Sequence, residues 1–163
     1  MRMSKDIKLR TPQLTDIAWF SGLVDGEGSI NISTQKDKHH KYSKSHFALN
    51  FEISLTHLPT LEKVKSMWGI GSLTEHKDKR KHRPYWLWMV RSNQALSIIE
   101  IIFPYLVTKR AAAEVGIAFQ RRRRAHRGHW NHNTVQREAL IVEDEKYYHL
   151  LHETNFGLVG SRN

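Results

Sequence analysis

Between Ser21 and Ser33 the chain reads SGLVDGEGSINIS, and within that stretch a helical pattern gives way to a strand pattern. Leu14, Ile17, Ala18, Phe20, Leu23 and Val24 recur at helical spacing, with Thr11 placed as N-cap and Pro12 as first helical residue. Gly26 and Gly28 are expected to end this helix near Asp25. From Ser29 to Gln35 apolar and polar residues alternate, as in a half-buried strand. A chain that switches period this abruptly must pack a helix against a sheet. The switch also carries two acids, Asp25 and Glu27. Unsatisfied carbonyls and a partial negative charge at a helix C-terminus favour Lys or Arg, so acids there need a cause outside the helix itself.

A second alternating stretch, His46 to Leu55, follows the lysine-rich connector KDKHHKYSKS and completes a hairpin. Phe47, Leu49, Phe51, Ile53 and Leu55 fall on one face; Ala48, Asn50, Glu52 and Ser54 fall on the other. A helix from about Pro59 to Trp68 stops at Gly69, and a second strand pair spans roughly Gly71 to His76 and Pro84 to Arg91. In the last strand Tyr85, Leu87 and Met89 alternate with Trp86 and Trp88, so both faces are apolar and the register stays open. Helices are expected over about 93–103, 108–123 and 134–153. The order αββαββααα is that of an α+β fold in one domain, 1–163, with a core over about 10–125 and a helical part over about 126–163.

Charge narrows the function. There are 26 Lys and Arg against 16 Asp and Glu, a net +10, which suits a polyanionic partner. No long apolar run or leader-like stretch opens the sequence, so a membrane partner is not expected and an intracellular location is. With no cysteine, disulfides and thiolate metal sites are excluded. Lys36, Lys38, Lys41 and Lys44 crowd one hairpin connector; Lys77, Lys79, Arg80, Lys81 and Arg83 crowd the other. Between them the polar face offers Ser29, Asn31, Ser33, Gln35, His46, Asn50, Glu52, Thr74 and His76, with Tyr85 beside them. Basic loops suit phosphates, and a polar β-ribbon suits base edges in a major groove. The run QRRRRAHR is read as a basic helix end for phosphate contact or for the helix dipole.

Ala18, Gly22 and Gly26 recur every fourth residue of the first helix. Such a stripe permits close approach, either to the chain's own sheet or to a second copy of the same helix. In the second case the two helix ends converge about a two-fold axis and bring the two Glu27 carboxylates together. That cluster repels itself unless a divalent cation fills it, and its hard oxygens suit Mg²⁺.

Phe20 to Ile30, FSGLVDGEGSI, resembles the signature of the LAGLIDADG homing endonucleases, and the order of elements resembles that family's αββαββα core. The resemblance implies a curved antiparallel sheet forming a DNA-binding saddle, and a single motif implies a homodimer with Ala18, Ser21, Gly22 and Asp25 at its interface. It further implies Mg²⁺-dependent cleavage of double-stranded DNA at a long, nearly palindromic site, with short 3′ overhangs. Glu27 corresponds to the motif's late acid and metal ligand, with Glu in place of the commoner Asp, and Gly26 would offer its carbonyl to the metal. Asp25 is expected to order the turn, and Lys109, after the PYL segment, falls where the family's catalytic lysine stands. Leu55 and Pro59 occupy positions where some relatives carry polar or basic groups. Family members of this kind are encoded by introns, and the location implied is an organelle such as a chloroplast or mitochondrion, or a prokaryotic cytoplasm.

Two other readings stand beside this one. His126, His129 and His132 in HRGHWNHN could form a zinc cluster or a fragment of an HNH nuclease, although no cysteine or placed carboxylate supports them. A non-cleaving nucleic-acid binder of the same fold, an RNA maturase or a DNA-binding regulator, would share the charge and the polar face but would have no use for Glu27.

Overall fold

In the computed structural model, residues 11–36, 45–77, 84–126 and 134–157 are described. The elements are α1 (Leu14–Glu27), β1 (Gly28–Lys36), β2 (Ser45–Leu55), α2 (Leu58–Trp68), β3 (Ser72–His76), β4 (Tyr85–Arg91), α3 (Asn93–Ile102), a 3-10 turn (Phe103–Tyr105), α4 (Arg110–Ala125) and α5 (Thr134–Asn155). The fold is α+β, with the expected order of helices and strands.

The four strands form one antiparallel sheet in the order β1-β2-β4-β3. Directly opposed residues share a face, so the pairing of Ile53 with Trp88 and of Phe51 with Val90 puts Trp88 and Val90 on the buried side. The register of β4 left open by its sequence is thereby fixed. Phe20 of α1 meets Trp68, Phe51 and Trp88 edge to face at 5.3, 6.0 and 6.0 Å, tying α1, α2 and both hairpins into one core. α4 presses on the same side of the sheet so closely that a Cβ at Gly116 would lie 3.1 Å from Leu49 and 3.2 Å from Ile30.

α1 starts and ends two residues later than its sequence pattern indicates. Gln13, not Thr11, is the N-cap, and the Ile17 N–H donates to the Gln13 carbonyl at 3.0 Å. Ile17 is the first buried side chain, so no packing holds the turn before it. Gly26 does not break the helix. The break comes at Gly28, whose N–H closes the last turn on Val24 O, and where a Cβ would lie 2.6 Å from that oxygen. Before β3, Gly71 has φ +96° and packs under the Trp88 indole, which only glycine permits.

Candidate nucleic-acid interface and motif site

The two acids of the motif part company in space. Asp25 turns toward the segment that precedes α4. Its Oδ2 accepts the Val107 N–H at 2.8 Å and its Oδ1 accepts the Lys109 N–H at 2.9 Å. The Thr108 hydroxyl lies 2.9 Å from the Asp25 carbonyl and 3.0 Å from Oδ1. Burial opposes the charge on Asp25, but the Lys109, Val107 and Thr108 donors outweigh it and hold the carboxyl below its ordinary pKa. Asp25, expected to order the motif's own turn, instead orders the turn before α4 through its carboxylate, and that turn carries Lys109 as the N-cap of α4. Glu27, two residues on, is exposed at the end of α1. Its motif neighbour Gly26 shares that last turn, where helix carbonyls lack intrahelical donors.

Ala18, Gly22 and Gly26 are all exposed, and a Cβ built at Gly22 or Gly26 meets nothing within 4 Å. The stripe therefore does not serve packing against the chain's own sheet. Ser21 stands apart from it. Expected at a dimer interface, it is 1% exposed and its hydroxyl donates to Ile17 O at 2.8 Å, because it lies one turn beyond Ile17 on the buried side of the helix.

The opposite side of the sheet from the core is polar in rows. Ser29, Glu52, Met89 and Ser72 form one row across all four strands, and Asn31, Asn50 and Arg91 form the next. Ser54, Leu87 and Thr74 make a third, and His76 opposes Tyr85 with their rings stacked at 5.3 Å. Ser33 and His46 lie further out, opposite Ala48 and Gln35. Asn50, expected to face solvent, is only 6% exposed; its Nδ2 donates to Asn31 Oδ1 at 3.2 Å, and Asn31 Nδ2 donates to Glu52 Oε1 at 3.2 Å. Lys77 is exposed at the end of β3 with Glu75 at 3.8 Å. Gln35 and Lys36 close β1, while Lys38, Arg80, Arg83, His129 and His132 lie outside the described residues.

Arg91 and Ser72 belong to this face although the sequence reading passed over them. An open trough of about 630 Å³ between β3 and β4 is lined by Ser72, Thr74, His76, Met89 and Arg91. At the other edge, a cavity of about 300 Å³ lies between β1 and α5, with Ser29, Asn31, Lys109, Tyr148 and His152 in its wall. The end of α5 is held there by Asn155 Nδ2, which donates to Ile30 O at 2.9 Å.

Arg122, Arg123 and Arg124 occupy the last turn of α4, as a basic helix end implies, and three side chains of the arginine run also pair with acids. Arg121 pairs with Glu100 at 2.7 Å, and Arg122 and Arg123 both bind the carboxylate of Asp144, which is fully buried. These side chains join α4 to α3 and α5, leaving Arg124 exposed at the helix end. Among the described residues, no three His, Asp or Glu side chains converge as a metal cluster, and no helix is long and apolar enough to cross a membrane.

The LAGLIDADG endonuclease family model matches residues 20–126, which begin at the motif and end with α4. Among solved structures, the chain is similar to the homing endonuclease I-CvuI in complex with the I-CreI target, at 17% identity and a TM-score of 0.70, covering 86% of this chain and 82% of that one. It is similar to the archaeal intron-encoded homing endonuclease I-Vdi141I complexed with DNA, at 16% identity and a TM-score of 0.58, over 87% and 98% of the two chains. Against the LAGLIDADG homing endonuclease I-GzeII in complex with a DNA target, the values are 20% and 0.61, over 85% of this chain and 44% of that one. No curated protein matches by sequence.

Proposed function

The chain belongs to the LAGLIDADG endonuclease family, and from that premise we propose that it cuts double-stranded DNA as a homodimer. The reading is of a homing endonuclease that hydrolyses one phosphodiester in each strand of a long, nearly palindromic site and leaves short 3′ overhangs. The observation that carries it is the open stripe of Ala18, Gly22 and Gly26 running up to the exposed Glu27. A helix face of small residues left exposed by the described residues of its own chain is suited to a second copy about a two-fold axis, and that packing brings two Glu27 carboxylates together.

Glu27 and the Gly26 carbonyl from each copy, with phosphate oxygens, make a hard-oxygen donor set that fits Mg²⁺. When bound, the ion supplies positive charge that lowers the pKa of a water and neutralises phosphate oxygens. The chain's own residues do the rest. Lys109, held by the turn that Asp25 orders, places a cation beside the phosphate under attack. The polar rows face the groove, and the lysines and arginines of the two connectors, read from the sequence, hold the backbone. DNA complexes among the similar structures support this orientation.

Selection of cleaved duplexes from a randomised library, run in Mg²⁺ and in EDTA, tests the proposal. The expected result is cleaved product only with the metal, from sites with two-fold symmetry. Duplexes bound but left uncut in Mg²⁺ would replace this reading with the non-cleaving binder, a maturase or regulator of the same fold.

A further inference from the structure

Among the described residues of the polar sheet face, Glu52 is the one carboxylate, and it stands opposite Ser29, which follows the motif's Glu27 by two residues. Glu75, the other acid of the sheet, opposes Trp86 and so lies on the opposite side. Glu52 is held by neutral groups. Asn50 donates to Asn31 and Asn31 donates to Glu52 Oε1, while the same Asn31 amide lies 3.3 Å from Ser29 Oγ. Each amide thus points its donor toward Glu52, and the relay ends in an acceptor with lone pairs to spare.

A negative charge on a surface that faces DNA is repelled by phosphates, so its favourable partner is a donor on a base edge. In the major groove only the cytosine N4 and adenine N6 amino groups donate. Adenine sets its N7 acceptor beside N6, against the carboxylate; guanine and thymine present acceptors and, for thymine, a methyl group. Cytosine alone offers a donor without a neighbouring acceptor. We propose that Glu52 is a specificity-determining residue that selects cytosine at an inner position of each half-site. The inference rests on the DNA-binding reading above. Because Ser29 lies only two residues beyond Glu27, the pair read lies about two to four base pairs from the bond cut, given a strand rise close to the base-pair rise.

The test is selection of bound duplexes from a randomised library with the full chain and with Glu52→Gln. Glutamine keeps an oxygen for the Asn31 donor, so both proteins should fold, which thermal melts check. The parent is expected to enrich cytosine at one inner position of each half-site. The variant is expected to exchange that preference for adenine, whose N6 and N7 a glutamine amide binds in a pair, with a shift of about tenfold or more. Sites enriched elsewhere but indifferent at the inner positions, or preferences identical in the two proteins, would overturn the inference alone. Recovery of no site by either protein would remove the DNA-binding reading, and this inference with it.

Discussion

The backbone N–H of Lys109 donates to Asp25 Oδ1 at 2.9 Å, across 84 residues of sequence. One acid of the motif therefore decides where α4 begins and where the candidate lysine stands, while Glu27 is left exposed at the end of α1. The acids that a helix C-terminus should repel are accounted for separately. Asp25 is offset by three donors from another segment, and Glu27 is explained in the proposed function by a metal.

Asp25→Asn turns one of the two accepting oxygens into an NH₂ that faces an N–H donor. The expected loss is about 1–3 kcal/mol of stability at neutral pH. The sign of its pH dependence follows from the depressed pKa: the stabilisation by ionised Asp25 is present above the unfolded value of 3.8 and is lost as pH falls through the lower folded value. Denaturant unfolding of both proteins should show their stability gap constant near neutrality and closing below pH 3.8. A gap that stays constant through the acid range would mean the charge on Asp25 contributes nothing.

The strand faces of β1 and β2 were legible because their apolar residues alternate cleanly, Ile30 and Ile32 against Phe51 and Leu49. β4 was not, since Trp86, Leu87, Trp88 and Met89 are all apolar; only pairing with β2 sorts them, setting Met89 opposite Glu52 and Trp88 opposite Ile53. Arg91 was hidden at the strand end, although its two-residue spacing from Met89 was a usable signal. Ser21 was misplaced by its adjacency to Gly22, when its four-residue spacing from Ile17 pointed to the core. The Arg122 and Arg123 partnership with Asp144 joins residues more than twenty apart, a separation that local patterning does not reach.

Asp144 is fully buried between Arg122 and Arg123, whose side chains are 17% and 21% exposed. Burial pushes its carboxyl up from the ordinary value, against the pull of the Arg123 and Arg122 guanidiniums. Asp144→Ala leaves two cations without their partner where α5 docks on α4, and is expected to cost about 3 kcal/mol. Replacing all three residues with apolar ones of similar volume should restore much of that stability. A loss below about 0.5 kcal/mol for the single change, by denaturant unfolding, would show that both arginines find water instead.

Gly22→Leu adds a side chain where a Cβ meets nothing within 4 Å in the chain itself. The protomer should fold, and its stability should rise by about 0.5–1 kcal/mol because leucine is the better helix former. Two helices packed along the same stripe would be forced apart, so the variant should sediment as a monomer where the parent sediments as a dimer. An intact dimer would place the two-fold contact on another face.

Glu27→Gln separates binding from cleavage. The side chain is exposed at the end of α1 and is not one of the paired strand residues that form the polar rows, so its charge is not needed to hold the duplex. If the acid holds the metal, its neutral isostere should lower the cleavage rate by at least about a hundredfold while affinity for the selected site changes little. Stability should move in the other direction. An acid at a helix C-terminus opposes the dipole, so in EDTA the variant protomer should gain about 0.5 kcal/mol, and a dimer that joins two such ends should gain more. Asp25 supplies the contrast, because its charge is held by donors within the chain and its loss should destabilise. A Glu27→Gln protein that still cuts at the parent rate, or that melts well below the parent in EDTA, would assign the second acid of the motif to the turn as well.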